Sequence, residues 1–280
     1  MAITATSLSL IRYTDHVDFM DIILPLAENL TLGHLLFLML VAFVAGFIDA
    51  IAGGGGLITI PALLTAGIPP HLSLGTNKLS SSFGSLTATI TFYRKGLFDP
   101  TLWKVTALAT LIGAVTGTFI ASLLNAEFIA KALPLIIIST AIYTLFSKPA
   151  TPDENAKKRG HFFHGVHGFI LGGYDGVAGP GTGAFWTASA LHFYRMEMLK
   201  TLGLARTMNF ISNLTSLLTF AWLGHVAWGL GIAMGSTLML GAWCGSHSAI
   251  RMGNLWVRRA FVLLVIMISL RLAWQHWLLA

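Results

Sequence analysis

Ten apolar stretches follow one another along the chain, at roughly 32–51, 57–66, 79–93, 105–124, 128–146, 162–178, 182–193, 202–223, 226–250 and 257–278. A helix needs about 20 apolar residues to cross a bilayer, and several stretches reach that length. The stretches 57–66 and 182–193 do not. Each of these two follows a glycine-rich break, Gly53-Gly54-Gly55-Gly56 in one case and Gly179-Pro180-Gly181-Thr182-Gly183 in the other. Backbone freed at such a break cannot face lipid; it has to be buried in protein or line a wet cavity. The pattern predicts an all-α integral membrane protein of about 8–10 membrane segments, with two broken or re-entrant helical hairpins whose arms meet near the middle of the membrane. The first hairpin is expected to return to its own side near Gly75 and the second near Arg195. Arms that crossed fully would leave the inside–outside pattern unchanged.

The breaks belong to an internal repeat. Gly46-Phe47-Ile48-Asp49-Ala50-Ile51-Ala52-Gly53 aligns with Gly172-Gly173-Tyr174-Asp175-Gly176-Val177-Ala178-Gly179, so Asp49 falls on Asp175 at an offset of 126. Further on, the segment from Lys78 to Leu86 aligns with that from Arg206 to Leu214 at an offset of 128. This divides the chain into a polar or interfacial tail (1–31), a first membrane repeat (32–147), a linker (148–160) and a second membrane repeat (161–280).

Composition agrees with the membrane reading. Charged residues make up 10% of the chain, hydrophobic residues 55%, and the mean hydropathy is +0.75, whereas a soluble domain carries about 25% charge. The net charge of +6 therefore points to basic loops on one side of a membrane and not to nucleic acid. Of 17 Lys and Arg, 12 lie in the connections 94–104, 148–159, 195–200 and 251–259, while the connections 125–127 and 224–225 have none. The positive-inside rule puts the four basic connections in the cytoplasm and both termini outside, with the second half inverted relative to the first. Inverted repeats with broken helices at matching positions mark many secondary transporters, whose sites lie near the midplane. The single cysteine, Cys244, has no disulfide partner and reads as packing. The 1–31 segment lacks the basic start, apolar centre and cleavage site of a signal peptide.

The candidate site follows from what stands beside the breaks. Asp49 and Asp175 each precede one, and a carboxylate inside a membrane is costly enough to be a functional candidate. It can cap freed backbone N–H groups, exchange ion pairs, or relay a proton. Lys78 and Arg206 are expected near the starts of apolar segments, either as positive charges that receive an anion or as structural partners of the two Asp residues. Gly54, Gly55, Gly56, Gly181 and Gly183 let backbone approach a ligand closely at helix N-termini that favour anions. Asn77, Ser81, Asn209, Ser212 and Asn213 add neutral hydrogen-bonding groups, and residues of these types also serve helix packing. No metal site or cofactor is expected. His161, His164 and His167 share one helix face and read as structural or interfacial, Pro134 as a kink, and Trp186, Trp222, Trp228, Trp243, Trp256, Trp274 and Trp277 as interface anchors or packing.

The run from Gly46 to Leu57, then Ile60-Pro61-Ala62-Leu63, then Thr76-Asn77-Lys78-Leu79, resembles the first signature of the TauE/SafE family, the sulfite exporter family. Tyr174-Asp175-Gly176 through Gly179-Pro180, then Asn209 to Ser212-Asn213, is similar to its second signature, although that family often shows Lys where Arg206 stands. The resemblance covers most of the chain from about residue 33. It implies an inner-membrane protein that exports sulfite, sulfoacetate or a related organosulfonate. The expected function is a secondary transporter of a small sulfur-containing anion working by alternating access. Its expected partners are the substrate and the lipid bilayer, with no nucleic acid, and a homodimer is compatible with the sequence. An anion channel would use the same site. A membrane scaffold fits poorly, because the connections are too short to dock a partner. An intramembrane aspartyl protease would use Asp49 and Asp175 as a dyad, but its Gly-x-Gly-Asp motif is missing at both.

Overall fold

A computed structural model describes residues 31–146 and 160–252. The tail 1–30, the linker 147–159, the last apolar stretch, and Trp256, Trp274 and Trp277 lie outside the described residues. Within them the chain is helical with no strand. The helices are α1 (Leu32–Ala52), α2 (Gly56–Thr65), α3 (Pro70–Arg94), α4 (Lys104–Leu123), α5 (Ala126–Phe146), α6 (His161–Val177), α7 (Thr182–Tyr194), α8 (Met198–Trp222) and α9 (Trp228–Met252), with a 3-10 turn Pro100–Trp103 before α4.

The short arms fall where the pattern predicts. α2 has 10 residues and α7 has 13, giving lengths of about 15 and 20 Å at 1.5 Å per residue, well short of a bilayer core of about 30 Å. The helices after them start earlier than hydropathy suggests. α3 begins at Pro70 and α8 at Met198, so Gly75 lies inside α3 and the first hairpin turns at 66–69 instead. The reason is local. Pro70 sits in the first turn, where its missing N–H costs nothing, and the next residues are buried Ser73, Thr76, Asn77 and Lys78. These lower the hydropathy without ending the helix, because they face inward. Lys78 and Arg206 are correspondingly not at segment starts but well inside 25-residue helices.

Packing joins the two halves of the chain. α1 packs along α9, α6 along α4, and α3 packs against both α8 and α9. Glycines set the first two contacts. A Cβ on Gly241 or Gly245 of α9 would come within 2.0 and 2.3 Å of the carbonyl oxygens of Phe43 and Phe47. A Cβ on Gly113 or Gly117 of α4 would come within 2.2 and 2.1 Å of those of Phe169 and Gly173. Small residues allow this backbone approach where lipid supplies no hydrophobic drive for helix association.

The exterior is apolar: Leu40, Leu108, Ile170 and Leu218 are each about 60% exposed. The helices α1 and Pro100–Leu123 are long and apolar enough on their own to cross a membrane. Of the tryptophans, Trp222, Trp228 and Trp243 are exposed, whereas Trp186 is fully buried and serves packing. His167 is held between Tyr194 Oη and Ser189 Oγ, each at 2.8 Å, a structural role. Pro134 lies within α5.

Candidate functional site

The first break begins where α1 ends. Gly53 caps α1 at φ 76°, and Gly179 after α6 has φ 85°, a left-handed conformation open to glycine at little cost. Both are also crowded by a cation from the opposite half. A Cβ on Gly53 would stand 2.5 Å from Arg206 Nη2, and one on Gly179 would stand 3.0 Å from Lys78 Nζ. The sequence therefore needs glycine at these two points for conformation and for space.

The cations and carboxylates pair across the halves. Lys78 Nζ lies 2.8 Å from Asp175 Oδ1 and also donates to the Asp175 carbonyl and to Asn213 Oδ1. Arg206 Nη1 lies 3.4 Å from Asp49 Oδ2, and Nη2 donates to Gly183 O at 3.3 Å and Thr187 Oγ1 at 3.4 Å. Both cationic side chains are essentially without solvent exposure. Each carboxylate is thus paired with its own cation, unlike the shared-proton dyad of an aspartyl protease.

A narrow polar cavity lies between the breaks, with room for about one water molecule at most. From the first break it is lined by Asp49, Gly54, Gly55 and Gly56, and from the second by Asp175, Gly179, Gly181, Thr182 and Gly183. α3 contributes Asn77 and Ser81, and α8 contributes Asn209 and Asn213. The first residues of α2 and α7 therefore stand at its wall, where helix starts favour negative charge. Lys78 and Arg206 are not in the lining; they stand behind it, turned onto their carboxylates. Ser212 is also behind it and donates to Asp175 Oδ2. Asp49 accepts from Gly55 N at 2.9 Å, which caps the break.

Sequence reasoning missed the threonines. Thr182 donates to Asp175 Oδ1 at 2.8 Å. Thr59 donates to Gly55 O and to Asn77 Oδ1, and Thr187 donates to Gly183 O at 2.7 Å. Thr59 and Thr187 are related by the same offset of 128 as Lys78 and Arg206, and that offset was the signal available to find them.

An apolar exterior around buried ion pairs and a polar cavity is the build of a polytopic helical membrane protein. A family described as "Sulfite exporter TauE/SafE" matches residues 38–272, and the chain belongs to it. The chain is 37% identical to "Probable membrane transporter protein ORF9" of Sinorhizobium sp., over 88% of this chain and 94% of that one. It is 36% identical to a "Probable membrane transporter protein" of Haemophilus influenzae, over 86% and 95%. It is 34% identical to "Probable membrane transporter protein YfcA" of Escherichia coli K12, over 90% and 96%. No solved structure matches. The protein is a member of a membrane transporter family.

Proposed function

We propose that this protein is a secondary transporter of a small sulfur-containing anion, sulfite or an organosulfonate, that works by alternating access in the inner membrane. The observation that carries the reading is the pair of crossed ion pairs around the cavity. Each ties the carboxylate beside one glycine break to a buried cation of the other half. An anion entering the cavity meets the starts of α2 and α7 and two cations held close behind, while the Asp partners must move or exchange. Asn77, Ser81, Asn209 and Asn213 supply the neutral contacts.

Alternating access draws support from the repeat. α3 and α8 have equal length and are offset by 128 from end to end. The joint at Gly75, pressed against His225 O, recurs at Gly203, pressed against Leu97 O, with the same offset between both members. We read α1–α5 and the second half as inverted repeats whose short arms α2 and α7 are re-entrant. In this reading the basic connections face the cytoplasm and the halves rock about the cavity. The sulfur assignment rests on the family.

The test is thermal stabilisation of detergent-purified protein by sulfite, thiosulfate, sulfoacetate and taurine, with acetate and phosphate for comparison. A ligand that binds the folded state alone raises the apparent stability with occupancy. A shift selective for the sulfur anions and lost in Arg206→Gln supports the reading. A shift with acetate and phosphate alone would move the substrate class, and none with any anion would remove the central anion site.

A further inference from the structure

The two ion pairs are built differently. Asp175 is 1% exposed and its carboxylate is held by Lys78, Thr182 and Ser212. Asp49 lines the cavity with its side chain 13% exposed. It accepts one hydrogen bond from Gly55 N and stands 3.4 Å from Arg206 Nη1. Arg206 is fully buried, yet its Nε has no hydrogen-bond acceptor and its Nη1 has only the long 3.4 Å contact with Asp49 Oδ2. Leaving buried donors of a charged group unused is costly, so this guanidinium is under-occupied. It also borders the cavity closely: a Cβ on Gly183, a lining residue, would stand 2.6 Å from Nη1.

We propose that the transported anion competes with Asp49 for Arg206, and that the displaced Asp49 carboxylate takes up a proton that travels with the anion. The proposal rests on the transporter reading above and adds its coupling ion. The charges balance. With Asp49 on Arg206 the pair is neutral. When a monovalent anion replaces Asp49 and the freed carboxylate gains H⁺ from water on the open side, the sum is again zero. The proton takes the place at Asp49 of the positive charge that Arg206 now gives to the anion. On release to the other side, Asp49 loses the proton and returns to Arg206. The anion and the proton move together, and the step carries no net charge for a monovalent ion. Asp175 does not fit this part, because it keeps Lys78 and two hydroxyl donors. The charged groups facing Asp49 are Arg206 from α8, Asp175 from α6 across the cavity, and Lys78 from α3 behind Asp175. Among the described residues no other titratable side chain lines the cavity.

The experiment uses proteoliposomes of the full chain with a pH-sensitive dye inside and the membrane potential held at zero. An inward gradient of methanesulfonate or thiosulfate is imposed, since neither ion holds a proton near neutral pH. The lumen is expected to acidify as the anion enters. In detergent, binding of the same ions should strengthen by about tenfold per pH unit of acidification where proton uptake accompanies binding. Asp49→Asn should make binding independent of pH, and Asp49→Glu should restore the dependence. If Asp49→Asn does not fold, the wild-type dye trace still decides. Uptake of either ion without acidification would overturn proton coupling and leave the transporter reading intact. Uptake of neither would overturn both.

Discussion

Lys78–Asp175 and Arg206–Asp49 occupy matching places in the repeat, at the same offsets of 128 and 126, and yet one is closed and the other open. The first is short, fully buried and saturated by hydroxyl and amide groups. The second is longer, touches the cavity through Asp49, and leaves the guanidinium Nε without an acceptor and Nη1 with only the 3.4 Å contact. In the proposed reading the first pair is structural and the second is the one that works. A fully satisfied buried pair gives rigidity, and a loosely satisfied one can change partners at small cost. Arg suits the second place, because its guanidinium stays charged when its partner leaves.

The largest effect that bears on this contrast is on stability. Lys78→Ala leaves Asp175 buried without its cation, which costs about 3–5 kcal/mol; the variant is expected to lose most of its thermal stability in detergent. Asp49→Asn keeps a carbonyl to accept from Gly55 N, and Arg206 keeps Gly183 O and Thr187 Oγ1 as acceptors, so its loss should be smaller although it too leaves a buried charge without its partner. Equal losses in the two variants would erase the distinction between a closed and an open pair.

The glycines give the next effect. Gly53→Ala forces a positive φ and puts a Cβ within 2.5 Å of both backbone at Gly183–Ala184 and Arg206 Nη2. Gly179→Ala forces a positive φ too, but its nearest neighbour is Lys78 Nζ at 3.0 Å. The backbone strain alone costs about 1–3 kcal/mol at each. Gly53→Ala should therefore exceed Gly179→Ala in lost stability and should also displace Arg206, weakening anion-dependent stabilisation. A larger loss at Gly179 would mean that the first break is the more adaptable of the two.

Much of this site is legible in the sequence. Glycine runs in apolar sequence, and charges inside it, are local signals, and a repeat read from Asp49 and Lys78 predicts Asp175 and Arg206. Which acid meets which base was not legible. Asp49 could reach Lys78 within its own half or Arg206 in the other, and the choice of Arg206 for Asp49 and Lys78 for Asp175 appears only once helices far apart in sequence are brought together. The inequality of the pairs was hidden for the same reason, because it depends on Thr182 and Ser212 converging on Asp175 from different helices. The true starts of α3 and α8 were hidden because hydropathy treats inward Ser, Thr and Asn as it treats a loop.

The smallest effect extends the comparison to the two ends of α3. At its start, His71 stacks on His225 with ring centroids 5.2 Å apart, and both Nδ1 atoms are buried without a hydrogen-bond partner. The repeat carries these positions to Leu199 and Leu97, apolar residues packed in a core cluster with the other end of α3. Burial, and then the neighbouring His71, hold the His225 imidazole below its ordinary value of 6.5. A base whose folded value lies below its unfolded one binds fewer protons when folded. Stability from this group is then full above about pH 6.5 and declines as the pH falls through that value. Acidification from about pH 7.5 to 5.5 should therefore lower the melting temperature of the wild type more than that of His71→Leu/His225→Leu, which copies the apolar joint. An unchanged acid slope in the double variant would assign the sensitivity to other groups and leave the two ends of α3 equivalent with respect to pH.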